Sequence, residues 1–182
     1  MSNAAYYVTR SSGIVALLLL VGSLLWGFLF SSRATGKRLR PNWWLDLHNY
    51  LGGLALVFTV IHIAASLLDD NASITLVRAL VPAATGDQRW AITWGVLSTY
   101  ALAAVVFTTW PKRMTNRRLW RVIHLISVPA TFLAFAHALQ TGSAASRSPF
   151  QIFILFAAAI GTYGLGLRLS TLRPSHRSPT AD

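Results

Sequence analysis

Four of the five histidines in this chain lie in two apolar segments, two histidines to a segment. The first segment holds His48 and His62, fourteen positions apart, and the second holds His124 and His137, thirteen positions apart. Ionisable residues are rare inside membranes and are usually functional where they occur. The two histidine pairs are therefore the first candidates for a functional site, and they limit how the two segments can be placed.

The composition is that of an integral membrane protein. Hydrophobic residues make up 54% of the 182 residues and charged residues only 12%, whereas a soluble domain is about 25% charged. Several apolar runs reach the roughly 20 residues that a spanning helix needs. We predict one all-α domain, residues 1–182, that forms a membrane helical bundle of about five transmembrane helices. The predicted spans are residues 8–30, 44–68, 90–110, 119–139 and 150–167, followed by a flexible tail, residues 168–182.

Cysteine is absent, which excludes disulfides, iron–sulfur clusters and covalently attached c-type heme.

The distribution of positive charge predicts the orientation. The net charge of +11 comes from Lys and Arg in short loops, 12 on one side of the predicted bundle and 4 on the other. Positive loops stay in the cytoplasm, so we expect the N-terminus outside, the C-terminus inside, and a bacterial inner membrane. The charge has no feature of a nucleic-acid site.

The two histidine-bearing spans are predicted to be parallel, which places the histidines at two depths. His48 and His124 fall near the cytoplasmic side, and His62 and His137 near the outer side. At 1.5 Å per residue the two levels are roughly 20 Å apart. Each level then has one imidazole from each of two helices, which is what bis-histidine ligation of a b-type heme requires. We predict two such hemes, and one heme remains an alternative.

On a straight helix, the spacing places the first pair of histidines on one face but not the second pair. Fourteen residues bring His48 and His62 to within about 40° of each other, whereas thirteen residues leave His124 and His137 about 140° apart on a straight helix. Pro129 lies between the second pair, and an interior proline kinks a helix. We expect a distortion there that turns both histidines to the same side.

Residues beside the histidines are weaker candidates. Arg121 lies one turn before His124 and could pair with a heme propionate, because guanidinium binds carboxylate in a bidentate manner. Gly52 could let a macrocycle or another helix approach the backbone. Asp46, the only carboxylate inside a predicted span, is expected at the interface. No catalytic residue is predicted.

With these residues in view, the chain resembles the ferric reductase-like transmembrane domain family. The match is a pair spaced H-x13-H (His48, His62), a pair spaced H-x12-H two helices later (His124, His137), and the segment HNYLGG after the first ligand. The family includes the heme domains of ferric reductases and NADPH oxidases and the heme subunit of the methionine sulfoxide reductase system. The resemblance implies two b hemes that carry electrons from the cytoplasmic level to the outer level.

The chain differs from the larger relatives because no G-x-G-x-x-G motif or flavin domain follows the last span. We therefore expect a heme-subunit type of oxidoreductase component with a separate electron donor, quinol or a flavoprotein. Its acceptor on the outer side would be ferric iron, oxygen or a partner reductase. Two other classes stay open: a cofactor-free membrane anchor or assembly subunit, and a transporter that uses the histidines as a metal or proton path.

Overall fold

The computed structural model describes residues 3–32, 41–70, 72–84, 86–109, 116–141 and 148–170. This part of the chain is helical and contains no strand. Its helices are α1 (Asn3–Ser32), α2 (Pro41–Leu68), α3 (Leu76–Leu80), α4 (Arg89–Thr109), α5 (Arg117–Leu125), α6 (Ser127–Gln140) and α7 (Ser148–Ser170). The basic loops at 33–40 and 110–115 lie outside the described residues, as does the predicted tail from residue 171 onward.

The predicted class, an all-α membrane bundle, is confirmed. Four stretches are long and apolar enough to cross a bilayer: Ala4–Ser31, Trp43–Leu68, Arg89–Thr109 and Arg117–Gln140. They correspond to the first four predicted spans. The fifth predicted span lies on α7, whose apolar part, Ile154–Gly166, is shorter than the other four. α7 continues to Ser170, so the helix ends three residues later than the sequence predicted.

Helices α1 and α2 are joined at one end by a pair of tryptophans. The rings of Trp26 and Trp44 stack with centroids 4.1 Å apart. Each indole Nε1–H donates to the other residue's carbonyl oxygen, at 3.1 Å from Trp26 and 3.2 Å from Trp44. The position of Trp44 at a span end is typical of an exposed interfacial anchor. In the structure, however, Trp44 is only 4% exposed. It fixes α2 against α1.

The fourth span is broken into two helices, as the histidine spacing requires. α5 ends at Leu125, and α6 begins at Ser127 after a turn at Ile126, whose N–H donates to the carbonyl oxygen of Ile123 at 3.0 Å. Pro129 then lies in the first turn of α6, where a missing N–H costs no helical hydrogen bond. The expected distortion is confirmed, and its position is Ile126, three residues before the proline.

The interior between the long helices is apolar and small. One buried cluster joins Leu20, Ala55 and Leu102, from α1, α2 and α4. A second joins α1 to α6 and α7 and consists of Leu17, Val21, Phe135, Ile154 and Ala157. Ala55 is fully buried. The long helices therefore meet along a common axis, and the histidines lie above and below the first cluster.

The loop between α2 and α4 folds back against α4. The hydroxyl of Tyr100 donates to the carbonyl oxygen of Leu80, and the N–H of Ala83 donates to Oγ1 of Thr93 at 2.9 Å. The short helix α3 lies within the segment 74–84. The loop therefore covers one end of the bundle, the end at which His62 and His137 lie.

Candidate functional site

The four predicted histidines meet in two pairs. The rings of His48 and His124 have centroids 5.7 Å apart, and those of His62 and His137 have centroids 6.2 Å apart. With metal–imidazole bonds of about 2 Å, two imidazoles on opposite sides of one metal ion have centroids roughly 6 Å apart. We call the first pair the inner tier and the second pair the outer tier. Both pairs join α2 to the broken α5–α6 span.

In the outer tier, backbone carbonyl groups fix both imidazoles. Nδ1–H of His62 donates to the carbonyl oxygen of Thr9 at 2.7 Å, and Nδ1–H of His137 donates to that of Ala91 at 2.8 Å. A carbonyl oxygen only accepts, so each Nδ1 carries the proton. Nε2 of each neutral ring is then unprotonated and able to bind a metal, and the hydrogen bond increases its basicity.

A glycine lies four residues after each of those carbonyl groups. A Cβ on Gly13 would lie 2.9 Å from Nδ1 of His62, and a Cβ on Gly95 would lie 2.8 Å from Nδ1 of His137. Such separations are essentially never seen for a real Cβ. Any other residue at these two positions would push the imidazole away from the helix carbonyl. The glycines thus allow the hydrogen bonds that orient the rings.

The inner tier repeats this arrangement for one histidine only. Nδ1–H of His48 donates to the carbonyl oxygen of Ser23 at 2.9 Å, and Oγ of Ser23 is 3.3 Å away. A Cβ on Gly27, four residues after Ser23, would lie 3.1 Å from Cε1 of His48. Nδ1 of His124 is also buried, but it has no hydrogen-bond partner among the described residues. Its ring stacks on Trp120, with centroids 5.0 Å apart and an interplanar angle of 21°.

The outer tier opens into a cavity of about 570 Å³ between α1, α2, α4 and α6. This volume lies within the roughly 300–1,000 Å³ usual for ligand sites. Its walls are mostly aliphatic, and its polar lining includes Tyr6, Arg10, Asp69, Gln88 and Thr141. Arg10 is half-buried, with its guanidinium carbon 4.3 Å from the centroid of the Tyr6 ring. It is the one Lys or Arg side chain among the described residues that line the cavity.

The remaining predicted site residues lie apart from the tiers. Arg121 is exposed on α5, three residues before His124, and its pairing with a cofactor stays a prediction. Asp46 is exposed, as expected. A Cβ on Gly52 would approach Oγ of Ser23 at 3.5 Å, so this glycine packs α2 against α1. The fifth histidine, His176, lies outside the described residues.

The roles of Gly13, Gly27, Gly95 and Arg10 were not predicted from the sequence. Gly13 and Gly27 are fourteen residues apart, the same spacing as His48 and His62, and that equality is the signal that could have paired them. Trp120 is a further residue of the site, through its ring stacking on His124. Its stacking on His124 depends on the angle of α5, which the sequence does not specify.

The arrangement agrees with the comparison of the sequence with protein families. The model of the ferric reductase like transmembrane component matches residues 12–135, which is more than half of the chain. The chain belongs to this family. Among curated proteins, no match to this sequence is found. The match covers three of the four histidines and ends two residues before His137, which the structure places beside His62.

This ferric reductase-like component has a donor set that fits heme. The two imidazoles of a tier would be able to bind one iron whose remaining ligands come from a porphyrin. Membership of the family supports a role in transmembrane electron transfer.

Proposed function

We propose that this protein is a transmembrane b-type cytochrome with two bis-histidine hemes. His48 and His124 would hold the inner heme, and His62 and His137 the outer heme. The observation that carries the proposal is the meeting of all four imidazoles in two pairs at the separation that one metal ion between them requires. A packing role for the histidines gives no reason for that repeated separation.

The chain's own residues would set the properties of each site. Heme, when bound, supplies a one-electron couple at its iron. The carbonyl groups of Thr9, Ser23 and Ala91 hold the protons on Nδ1 and leave Nε2 unprotonated, as a metal ligand must be. Because both histidines of a tier would bind the same iron, the sites would be suited to electron transfer rather than to binding a substrate at iron.

An apolar layer separates the two tiers and excludes water from the path. Leu20, Ala55 and Leu102 are each no more than 7% exposed and pack together midway between the histidine levels. The levels are roughly 20 Å apart along α2. Electrons would pass through this packed layer from the inner tier to the outer tier.

Charged side chains near the tiers are candidates for holding heme propionates. Arg10 lines the outer cavity, and a guanidinium binds carboxylate with two parallel hydrogen bonds. Arg121 is exposed on α5 and lies three residues before His124. We assign Arg10 to the outer heme and retain Arg121 for the inner heme.

Orientation and partners complete the proposal. The excess of positive loops would place the inner tier at the cytoplasmic side of a bacterial inner membrane, with the N-terminus outside. The donor would be quinol or a separate flavoprotein, and the acceptor ferric iron, oxygen or a partner reductase on the outer side.

The absorption spectrum tests the proposal. Protein purified in detergent from heme-replete cells should show a Soret band and, after reduction, the sharp α-band of low-spin b heme. A folded protein with zinc or copper and no iron would instead favour the transporter. A folded, colourless protein that holds no metal would favour the membrane anchor.

A further inference from the structure

The three helices α1, α2 and α4 share a repeat of seven residues along the bundle. On α2, Ala55 lies seven residues from His48 and seven from His62. On α1, Leu20 lies seven residues from Gly13 and seven from Gly27. The same buried cluster contains Leu102 of α4, seven residues after Gly95. Since seven residues make nearly two helical turns, these positions recur on one face of each helix.

Continuing the repeat on α4 leads to Thr109, seven residues after Leu102 and fourteen after Gly95. Thr109 thus has the inner-tier position that Gly27 has on α1. The carbonyl group four residues before it belongs to Val105, which is buried. Oγ1 of Thr109 donates to that carbonyl oxygen at 2.8 Å, and Oγ1 of Thr108 donates to it at 3.1 Å. The position therefore carries a side chain, in contrast to the three glycine positions.

The tier at which α4 has a threonine instead of a glycine is also the tier that contains an imidazole nitrogen without a hydrogen-bond partner among the described residues. His48, His62 and His137 each donate from Nδ1 to a carbonyl group four residues before a glycine. Nδ1 of His124 is buried without a partner in the described part of the chain, and its helix α5 packs against α4. At the glycine positions a Cβ would come within 2.8–3.1 Å of the imidazole ring. Threonine at the fourth position has such a Cβ.

We propose that Thr109 is a positioning residue that denies His124 a backbone acceptor, so that the inner heme has the higher reduction potential of the two. The inference rests on the proposed function, since it requires a heme in each tier. A hydrogen bond from Nδ1–H makes the imidazole a stronger donor to the metal. A stronger donor favours ferric over ferrous iron and lowers the potential. The outer heme has two such ligands and the inner heme has one.

Redox titration of the purified two-heme protein, followed at the α-band, tests the inference. We expect two waves, and we expect His124→Ala or His48→Ala to remove the one at higher potential. Thr109→Gly should open the Val105 carbonyl to His124 and lower the higher wave. A change of about tenfold in the equilibrium between ferric and ferrous heme corresponds to a shift of ~59 mV in the reduction potential of a one-electron couple.

Two neighbouring variants are the controls. Thr109→Ala keeps the Cβ and should leave both waves near their wild-type positions. Ala104→Gly removes a Cβ from an exposed position of α4 and should also leave both unchanged. The inference is overturned if Thr109→Gly moves neither wave, if Ala104→Gly moves the higher wave equally, or if the inner-tier variants remove the lower wave. Wild-type protein without heme would instead refute the proposed function itself.

Discussion

Gly13 lies so close to His62 that a Cβ at residue 13 would be 2.9 Å from Nδ1 of the imidazole. Because Gly13 has no Cβ, Nδ1 of His62 can approach α1 and donate to the Thr9 carbonyl oxygen, 2.7 Å away. Gly13, which has no side chain, thus determines which nitrogen of His62 is free to bind a metal. The same relation holds between Gly27 and His48 and between Gly95 and His137.

Gly13→Ala should therefore weaken the outer site without touching a ligand. The added methyl group would displace the His62 ring from the Thr9 carbonyl, and loss of such an outer hydrogen bond typically costs about 10–100-fold in metal affinity. We expect heme content after detergent purification to fall toward one heme per chain. Gly53→Ala is the matched control, because a Cβ on Gly53 meets no atom within 4 Å. Equal heme content in the two variants would contradict the assigned role of Gly13.

His62→Ala should remove about half of the heme and leave the inner heme in place. The tiers are roughly 20 Å apart, so the loss of an outer ligand leaves the His48 and His124 pair intact. Heme content per chain and the α-band of the reduced protein measure this. His176→Ala replaces the fifth histidine and should retain the full content. If His62→Ala kept all of its heme, His62 would not be an axial ligand.

Trp44→Phe should lower stability, whereas Trp43→Phe should not. Trp44 is buried, stacked on Trp26 and hydrogen-bonded through Nε1, while Trp43 is 54% exposed. Loss of one hydrogen bond costs about 1 kcal/mol, and reduced aromatic stacking adds about 0.5–1.5 kcal/mol. Thermal unfolding in detergent compares the two variants. Similar unfolding temperatures would mean that the tryptophan pair does not join α1 to α2.

The absence of cysteine makes the orientation directly measurable. Asp70 and Arg117 are exposed at opposite ends of the bundle, and each can be replaced by a single cysteine. With the predicted orientation, a membrane-impermeant maleimide added to intact cells should label Asp70→Cys and leave Arg117→Cys unlabelled until the cells are opened. The reverse pattern would place the outer tier in the cytoplasm.

The sequence predicted the parts of the site that depend on local pattern. Apolar runs gave the spans, and helical spacing brought His48 and His62 to one face. The pairing of these residues with His124 and His137 followed from parallel spans at matched depths. The turn at Ile126 was expected only as a distortion near Pro129, because the sequence shows that a helix must bend but not which peptide group absorbs the bend.

The contacts between helices could not be predicted in the same way. Gly13 and Gly95 acquire their role only because α1 and α4 pack against the histidines at a particular height and rotation. Trp44 lies at a span end, which is typical of an interfacial anchor, but the angle between α1 and α2 buries it. Such features depend on the register between helices that are distant in sequence, and a single sequence does not contain that register.

The most direct test of the central claim is the heme-to-protein ratio of the wild-type protein, measured as the pyridine hemochrome. Two imidazole pairs, each at the separation that one iron requires, predict two b-type hemes per chain. A folded protein purified from heme-replete cells with no heme would contradict the account.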